Sequence, residues 1–246
     1  MKYFCFLFSF LLLTVFACTD KSANPATSSA AAEAQTETSA PATTETPFQD
    51  SIPPPVGYVF LASAKGDLDK DGQDEKAVVY DTGRQTDYGS EREIQIFKKK
   101  DTGWELWHKS VGPVMGSEQG GVMGDPFEGL SIENGSLVLS HFGGSREKWH
   151  YTHRFRFQNN DWQLIGATVN NGAPCDYFED FDYNLSTGKI DYKKTTEDCE
   201  KSEEHPVTKT TQKDFVVKPK ALPSMDGFHP GENQIKLPKT DIEFYY

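Results

Sequence analysis

Between Lys148 and Phe157 the chain alternates without a break. Trp149, Tyr151, His153, Phe155 and Phe157 fall on one parity, and Lys148, His150, Thr152, Arg154 and Arg156 on the other. A period of two puts all the aromatics on one side of an extended strand and all the polar residues on the other. A helix would scatter the same residues around its circumference. The segment must therefore be a strand with one covered face and one wet face, which is the condition of an antiparallel sheet. Gln158-Asn159-Asn160-Asp161 then turns the chain into a second strand over residues 162–169.

The same logic extends in both directions. Asn134-Gly135, the strongest short hairpin signal, lies between extended runs at 129–133 and 136–141. Leu185-Ser186-Thr187-Gly188 lies between runs at 177–184 and 189–193. Earlier strands are expected at 58–64, 76–81, 91–98 and 104–109, with short later ones at 214–218 and 234–237. No segment longer than two turns has helical spacing. The fold class that follows is all-β, an antiparallel β-sandwich or curled meander of about ten strands, in a single β-rich domain over 51–246. A propeller would need several copies of a blade of about 40–45 residues, and the sequence contains no internal repeat.

The N-terminal region has a different character. Met1-Lys2-Tyr3 is a short basic start, and residues 4–16 are apolar except for Ser9 and Thr14. That length suits the core of a signal peptide and is too short to span a bilayer. Val15-Phe16-Ala17-Cys18 resembles the lipobox of bacterial lipoproteins, in which the cysteine is acylated and becomes the new N-terminus. The resemblance implies a signal peptide over 1–17 and a lipid such as palmitate on Cys18. Phe16 is bulkier than that pattern usually carries, and Val15 and Ala17 would also suit ordinary secretory cleavage. In residues 19–50, Ala, Ser, Thr and Pro fill 22 of 32 positions. With no apolar periodicity to bury, residues 18–50 read as a lipidated Cys followed by a disordered tether, reaching on the order of 30 Å as a flexible coil.

Charge narrows the partners. There are 37 Asp+Glu against 25 Lys+Arg, a formal net charge of −12. Neither nucleic acid nor an anionic membrane would attract such a surface, so membrane attachment has to come from the lipid on Cys18. Setting aside Cys5 and Cys18 leaves Cys175 and Cys199, for which an oxidising compartment makes a disulfide the default. Closing that loop stabilises the fold by about 3.5 kcal/mol in the chain-entropy model. The hairpin over 177–193 lies inside it, so the bridge would clamp the hairpin's base.

The sharpest chemical motif is Gly66-Asp67-Leu68-Asp69-Lys70-Asp71-Gly72-Gln73-Asp74-Glu75. Carboxylates gathered in one turn repel, by about 4 kcal/mol for two charges about 4 Å apart at an effective dielectric near 20. A hard divalent cation reverses that sign, and irregular all-oxygen ligation suits Ca²⁺ better than Mg²⁺. The other reading of the same residues is a solvated acidic turn. An EF-hand would need Glu at the twelfth position from Asp67, which is Val78 in the apolar run Ala77-Val78-Val79-Tyr80. The loop thus feeds a strand. In this it resembles the calcium loops of FG-GAP and VCBS-type repeats, where D-x-D-x-D-G-x-x-[DE] joins two strands. That resemblance implies side-chain ligation by Asp67, Asp69, Asp71 and Glu75, with the Gln73 carbonyl as a backbone ligand and Ca²⁺ in a structural role. Those families repeat the motif, whereas this chain has it once, so a propeller and an adhesion role do not carry over. The order of segments as a whole resembles a lipoprotein family of Bacteroidota-type bacteria, which implies a location in the envelope and no activity.

Other polar groups have plainer readings. His153 lies on the aromatic face, as a hydrogen-bonded core histidine. The outward row of His150, Arg154 and Arg156 could receive an anion, but a solvated sheet face explains it more simply. Residues 111–127 form a long glycine-rich connection of the kind that is often functional. Trp104 and Trp107 are out of phase across their strand, so at least one should be core. Asp176, Glu179, Asp180 and Asp182 crowd one hairpin. Edge-strand protection accounts for them, while a carboxylate pair there would suit glycoside hydrolysis. The sequence therefore points to a lipid-anchored envelope protein, facing the periplasm or the cell surface, that presents a Ca²⁺-stabilised β-domain to a protein or glycan partner. A secreted hydrolase acting on glycans is the alternative. No catalytic residue is singled out.

Overall fold

A computed structural model describes residues 50–201 and 207–246. The readings for the signal peptide, Cys18 and most of the tether lie outside the described residues. Thirteen strands and no helix are present among the described residues. All pairings within the sheets are antiparallel. The first sheet holds β1 (Val59–Gly66), β2 (Glu75–Thr86), β3 (Gly89–Lys100) and β4 (Gly103–Val111), in that order. The second runs from β5 (Phe127–Glu133) through β6 (Ser136–Gly144), β7 (Lys148–Gln158), β8 (Asp161–Ala173), β9 (Tyr177–Asn184) and β10 (Lys189–Glu197) to β11 (Val207–Val216). A small hairpin, β12 (Gln234–Lys236) and β13 (Glu243–Tyr245), follows. Every strand pairs with its neighbour in sequence, so the architecture is a meander divided into sheets of four and seven strands.

One core serves both sheets. Ala77, Val79, Ile94 and Ile96 face it from the first, and Leu137, Leu139, Phe155, Leu164 and Phe181 from the second. The alternating face of β7 supplies Tyr151, Phe155 and Phe157 to it, as the period of two requires. The tail adds Met225, Phe228, Leu237, Phe244 and Tyr246, with Phe244 stacked on Phe181 at 4.1 Å between ring centroids. Strand β2 is apolar on both parities because its other side is covered too: Val78, Tyr80 and Phe97 form a second cluster with Ile52, Tyr58 and Trp104. Trp107 packs on the main core and Trp104 on this second one, so both tryptophans are structural.

Turn chemistry sets the registers. Asn134 and Gly135 both have positive φ, 51° and 71°, as the tight hairpin between β5 and β6 demands. A disulfide joins Cys175 to Cys199 across the base of the β9–β10 hairpin. One strand and one side chain depart from the sequence expectation. Strand β11 occupies Val207–Val216 rather than 214–218, because its residues are almost all exposed and leave no apolar alternation to read. His153 is buried as expected, yet neither ring nitrogen has a hydrogen-bond partner.

Candidate metal centre

The acidic loop joins β1 to β2, and its apolar residue fixes it in place. Leu68, between Asp67 and Asp69, is 1% exposed and belongs to the main core. Burying one leucine inside a run of carboxylates stabilises the fold by about 1.5–3 kcal/mol and forces its neighbours outward. Positive φ at Lys70 (66°) and Gly72 (86°) then curls the chain tightly. As a result Asp67, Asp69 and Asp71 converge, with one carboxylate oxygen from each within 4.8 Å of the others.

The loop satisfies much of its own polarity. Asp67 accepts the Lys70 N–H at 2.6 Å on Oδ1 and the Gly72 N–H at 3.1 Å on Oδ2. Asp69 Oδ1 accepts the Asp71 N–H at 3.2 Å, and Asp71 Oδ1 accepts the Gln73 N–H at 2.7 Å. These amide donors spread the negative charge without neutralising it. The Lys98 ammonium on β3 pairs with Asp69 Oδ2 and also lies 4.0 Å from the centroid of the Trp107 ring. The protein thus offsets the charge of Asp69 in part with its own ammonium group.

Glu75 is buried nearby, within electrostatic reach of Asp69 and Asp71 but outside their cluster. Only 2% exposed at the start of β2, it accepts the Leu68 N–H on Oε2 at 2.7 Å. Burial pushes its carboxyl above the usual range, and the charges of Asp69 and Asp71 push the same way, against the hydrogen bond from Leu68. The structure therefore brings Asp67, Asp69 and Asp71 together, leaves the buried Glu75 carboxylate outside that cluster on the Leu68 N–H, and shows Gln73 through its N–H to Asp71. The donor set is all oxygen, irregular and short of positive charge, which fits a hard cation such as Ca²⁺. Sequence reasoning passed over Leu68 and Lys98. A lone leucine inside an acidic run is a legible anchor signal. Lys98 lies 29 residues from Asp69 and carries no local signal.

Of the remaining candidates, Arg156 has a buried Nε with no hydrogen-bond partner, and the other charged groups are internally engaged. His150 contacts Asn170 Oδ1 at 3.3 Å and Glu128 Oε2 at 3.0 Å, and Arg154 donates to Thr168 Oγ1 at 3.0 Å. In the acidic hairpin, Asp180 accepts from Asn170 at 2.8 Å, Asp182 from Thr168 at 3.1 Å, and Asp176 pairs with Arg146 at 3.1 Å. Glu179 accepts from Tyr192 at 2.8 Å and Lys194 at 3.0 Å. The Asp180 and Asp182 bonds tie the outer face of the sheet together laterally, whereas those of Glu179 lie on the opposite parity of β9, the one that carries Phe181 and Tyr183 into the core. Comparison with protein-family models, with curated proteins and with solved structures gives no match.

Proposed function

We propose that this chain is a cell-envelope protein, tethered through a lipid on Cys18, that presents a Ca²⁺-stabilised β-domain for binding rather than for catalysis. The convergence of Asp67, Asp69 and Asp71 within 4.8 Å carries the metal part of this reading. In the loop, Asp67, Asp69, Asp71 and Glu75 would supply side-chain oxygens and Gln73 its carbonyl. The ion would do no chemistry on a substrate. It would offset the repulsion that the β1–β2 connection otherwise stores. The disulfide between Cys175 and Cys199 supports an exported location, since such bonds persist in oxidising compartments. Among the described residues no helix is long and apolar enough to cross a membrane.

Thermal melting of the full chain in Ca²⁺, Mg²⁺ and chelator tests the metal reading. Extracellular calcium modules have dissociation constants on the order of 10⁻⁴–10⁻³ M, and about 2.7 kcal/mol of stabilisation follows at 100-fold excess. The melting temperature should rise with millimolar Ca²⁺, rise less with Mg²⁺, and lose its calcium response in Asp69→Ala. Identical melting in calcium and chelator, with no heat of binding by calorimetry, would reduce the loop to an acidic turn.

A further inference from the structure

A cavity of about 450 Å³ lies where three distant segments meet: the β2–β3 hairpin tip, the glycine-rich connection after β4, and the tail near His229. Its walls are built closely enough to hold their shape. Ser117 N–H donates to Ser90 O at 3.2 Å, Glu118 N–H to Tyr88 O at 3.0 Å, and Ser90 N–H to Ser117 Oγ at 2.8 Å. A Cβ on Gly116 would overlap the Tyr88 carbonyl oxygen, and one on Gly112 would come within 2.7 Å of the Phe228 carbonyl oxygen. Gly112 and Gly116 are thus explained by backbone pressed against backbone on two sides of one cavity. The volume falls in the range of small-molecule sites.

Arg92 lines this cavity and is 4% exposed. Its Nη2 pairs with Asp125 at 2.6 Å and with Asp81 at 3.6 Å, while Nε and Nη1 have no hydrogen-bond partner. Buried donors without acceptors are costly and uncommon in folded proteins. Around Arg92 the cavity offers the carboxamide of Gln119, the imidazole of His229, and the ring of Tyr88, which is 57% exposed. Two guanidiniums, Arg84 and Arg92, face three carboxylates, Asp87, Glu91 and Glu232, and Arg84 is itself paired with Glu91.

These facts select a ligand class. Unpaired donors call for acceptors. The surplus of carboxylates repels an anion, so the acceptors must come from a molecule without negative charge. An exposed aromatic ring beside amide, imidazole and carboxylate groups suits a ring that has an apolar face and hydroxyls at its edge. We propose that this cavity binds a neutral saccharide, with Arg92, Gln119 and His229 meeting hydroxyls and Tyr88 stacking on the sugar face. This names the partner class within the binding role proposed above, and it does not depend on the acidic loop.

Saturation-transfer NMR on the full chain, run both in calcium and in chelator, tests it. The probes are N-acetylglucosamine, methyl α-mannoside, cellobiose and maltose, with glucuronate and glucosamine as charged controls. At least one neutral sugar should bind at millimolar concentration in both buffers and outcompete glucuronate. Tyr88→Ala, at an exposed position that leaves the fold intact, should weaken binding on the order of tenfold, and Tyr88→Trp should restore it. Arg92→Lys should also weaken binding, with circular dichroism confirming that it folds. No saturation transfer to any neutral sugar would overturn the proposal, as would preference for glucuronate or glucosamine, or binding unchanged in Tyr88→Ala. Binding that persists in chelator while the melting temperature ignores calcium would leave this site standing and remove only the metal.

Discussion

Two histidines are buried in the core of the seven-stranded sheet, and acid should find them. His141 and His153 are both 0% exposed. His141 Nε2 accepts the Met115 N–H at 3.2 Å, so its ring is held neutral, and His153 has no hydrogen-bond partner at either nitrogen. Burial lowers both to about 3, helped for His141 by the charge of His150 and for His153 by His141 and Arg154. In the unfolded chain each titrates near 6.5. A depressed folded value means stability is complete above 6.5 and drains away as pH falls toward 3, because only the unfolded state takes up the proton. From pH 7.5 to 5.5 each histidine should cost about 1.4 kcal/mol, and the pair about 2.7 kcal/mol. His153→Leu removes one of the two and also two unsatisfied nitrogens from the core. Urea denaturation at both pH values should show the variant losing about 1.4 kcal/mol less than wild type over that interval. At pH 7.5 the variant should be no less stable. Equal losses in the two proteins would show that His153 is protonated in the native state and would refute the reasoning.

Cys18→Ser should release the protein from membranes into the soluble envelope fraction and abolish palmitate labelling. Wild-type protein that is already soluble and unlabelled would contradict the anchor. Reduction of Cys175–Cys199 should lower the urea midpoint by the equivalent of about 3.5 kcal/mol, and peptide mapping should find neither thiol open to alkylation beforehand. Gly116→Ala places a methyl group against the Tyr88 carbonyl oxygen. It should therefore destabilise by about 1–3 kcal/mol in the same assay, whereas Gly129→Ala, where the added group meets nothing within 4 Å, should be nearly silent.

Where side chains alternate, the sequence was transparent. Strands β7 and β8 and the Asn134-Gly135 hairpin could be read residue by residue, since a period of two has one structural meaning. The edge strand β11 could not, because Thr208, Lys209, Thr210 and Lys213 are exposed and carry no burial pattern. Nor, beyond the short strand expected at 234–237 and found as β12, could the tail: Met225, Phe228, Leu237 and Phe244 enter the core as single residues at irregular spacing. Of the acidic loop, Asp67, Asp69 and Asp71 were legible as a cluster because their spacing is local. Their charge balance was not, because Lys98 arrives from another strand. The cavity beside Arg92 was hinted at by the glycines between Gly112 and Gly124 and by nothing else. Its lining comes from three segments whose meeting is a property of the tertiary fold.

The tail also sets an order of events. Each of the eleven strands in the two large sheets pairs with its sequence neighbour or, at β4 and β5, ends a sheet. Those hairpins close short loops and can zip early during folding. Phe244, stacked on Phe181, and Leu237 and Met225, fully enclosed, come from residues made after all eleven. During synthesis the growing chain can hold its strands in register while the interior lacks these side chains, and for that interval it should expose apolar surface. Rapid local pairing followed by slow closure from the far end is the kinetic signature this topology writes, and chains stalled before residue 225 should be the ones that attract chaperones or proteases.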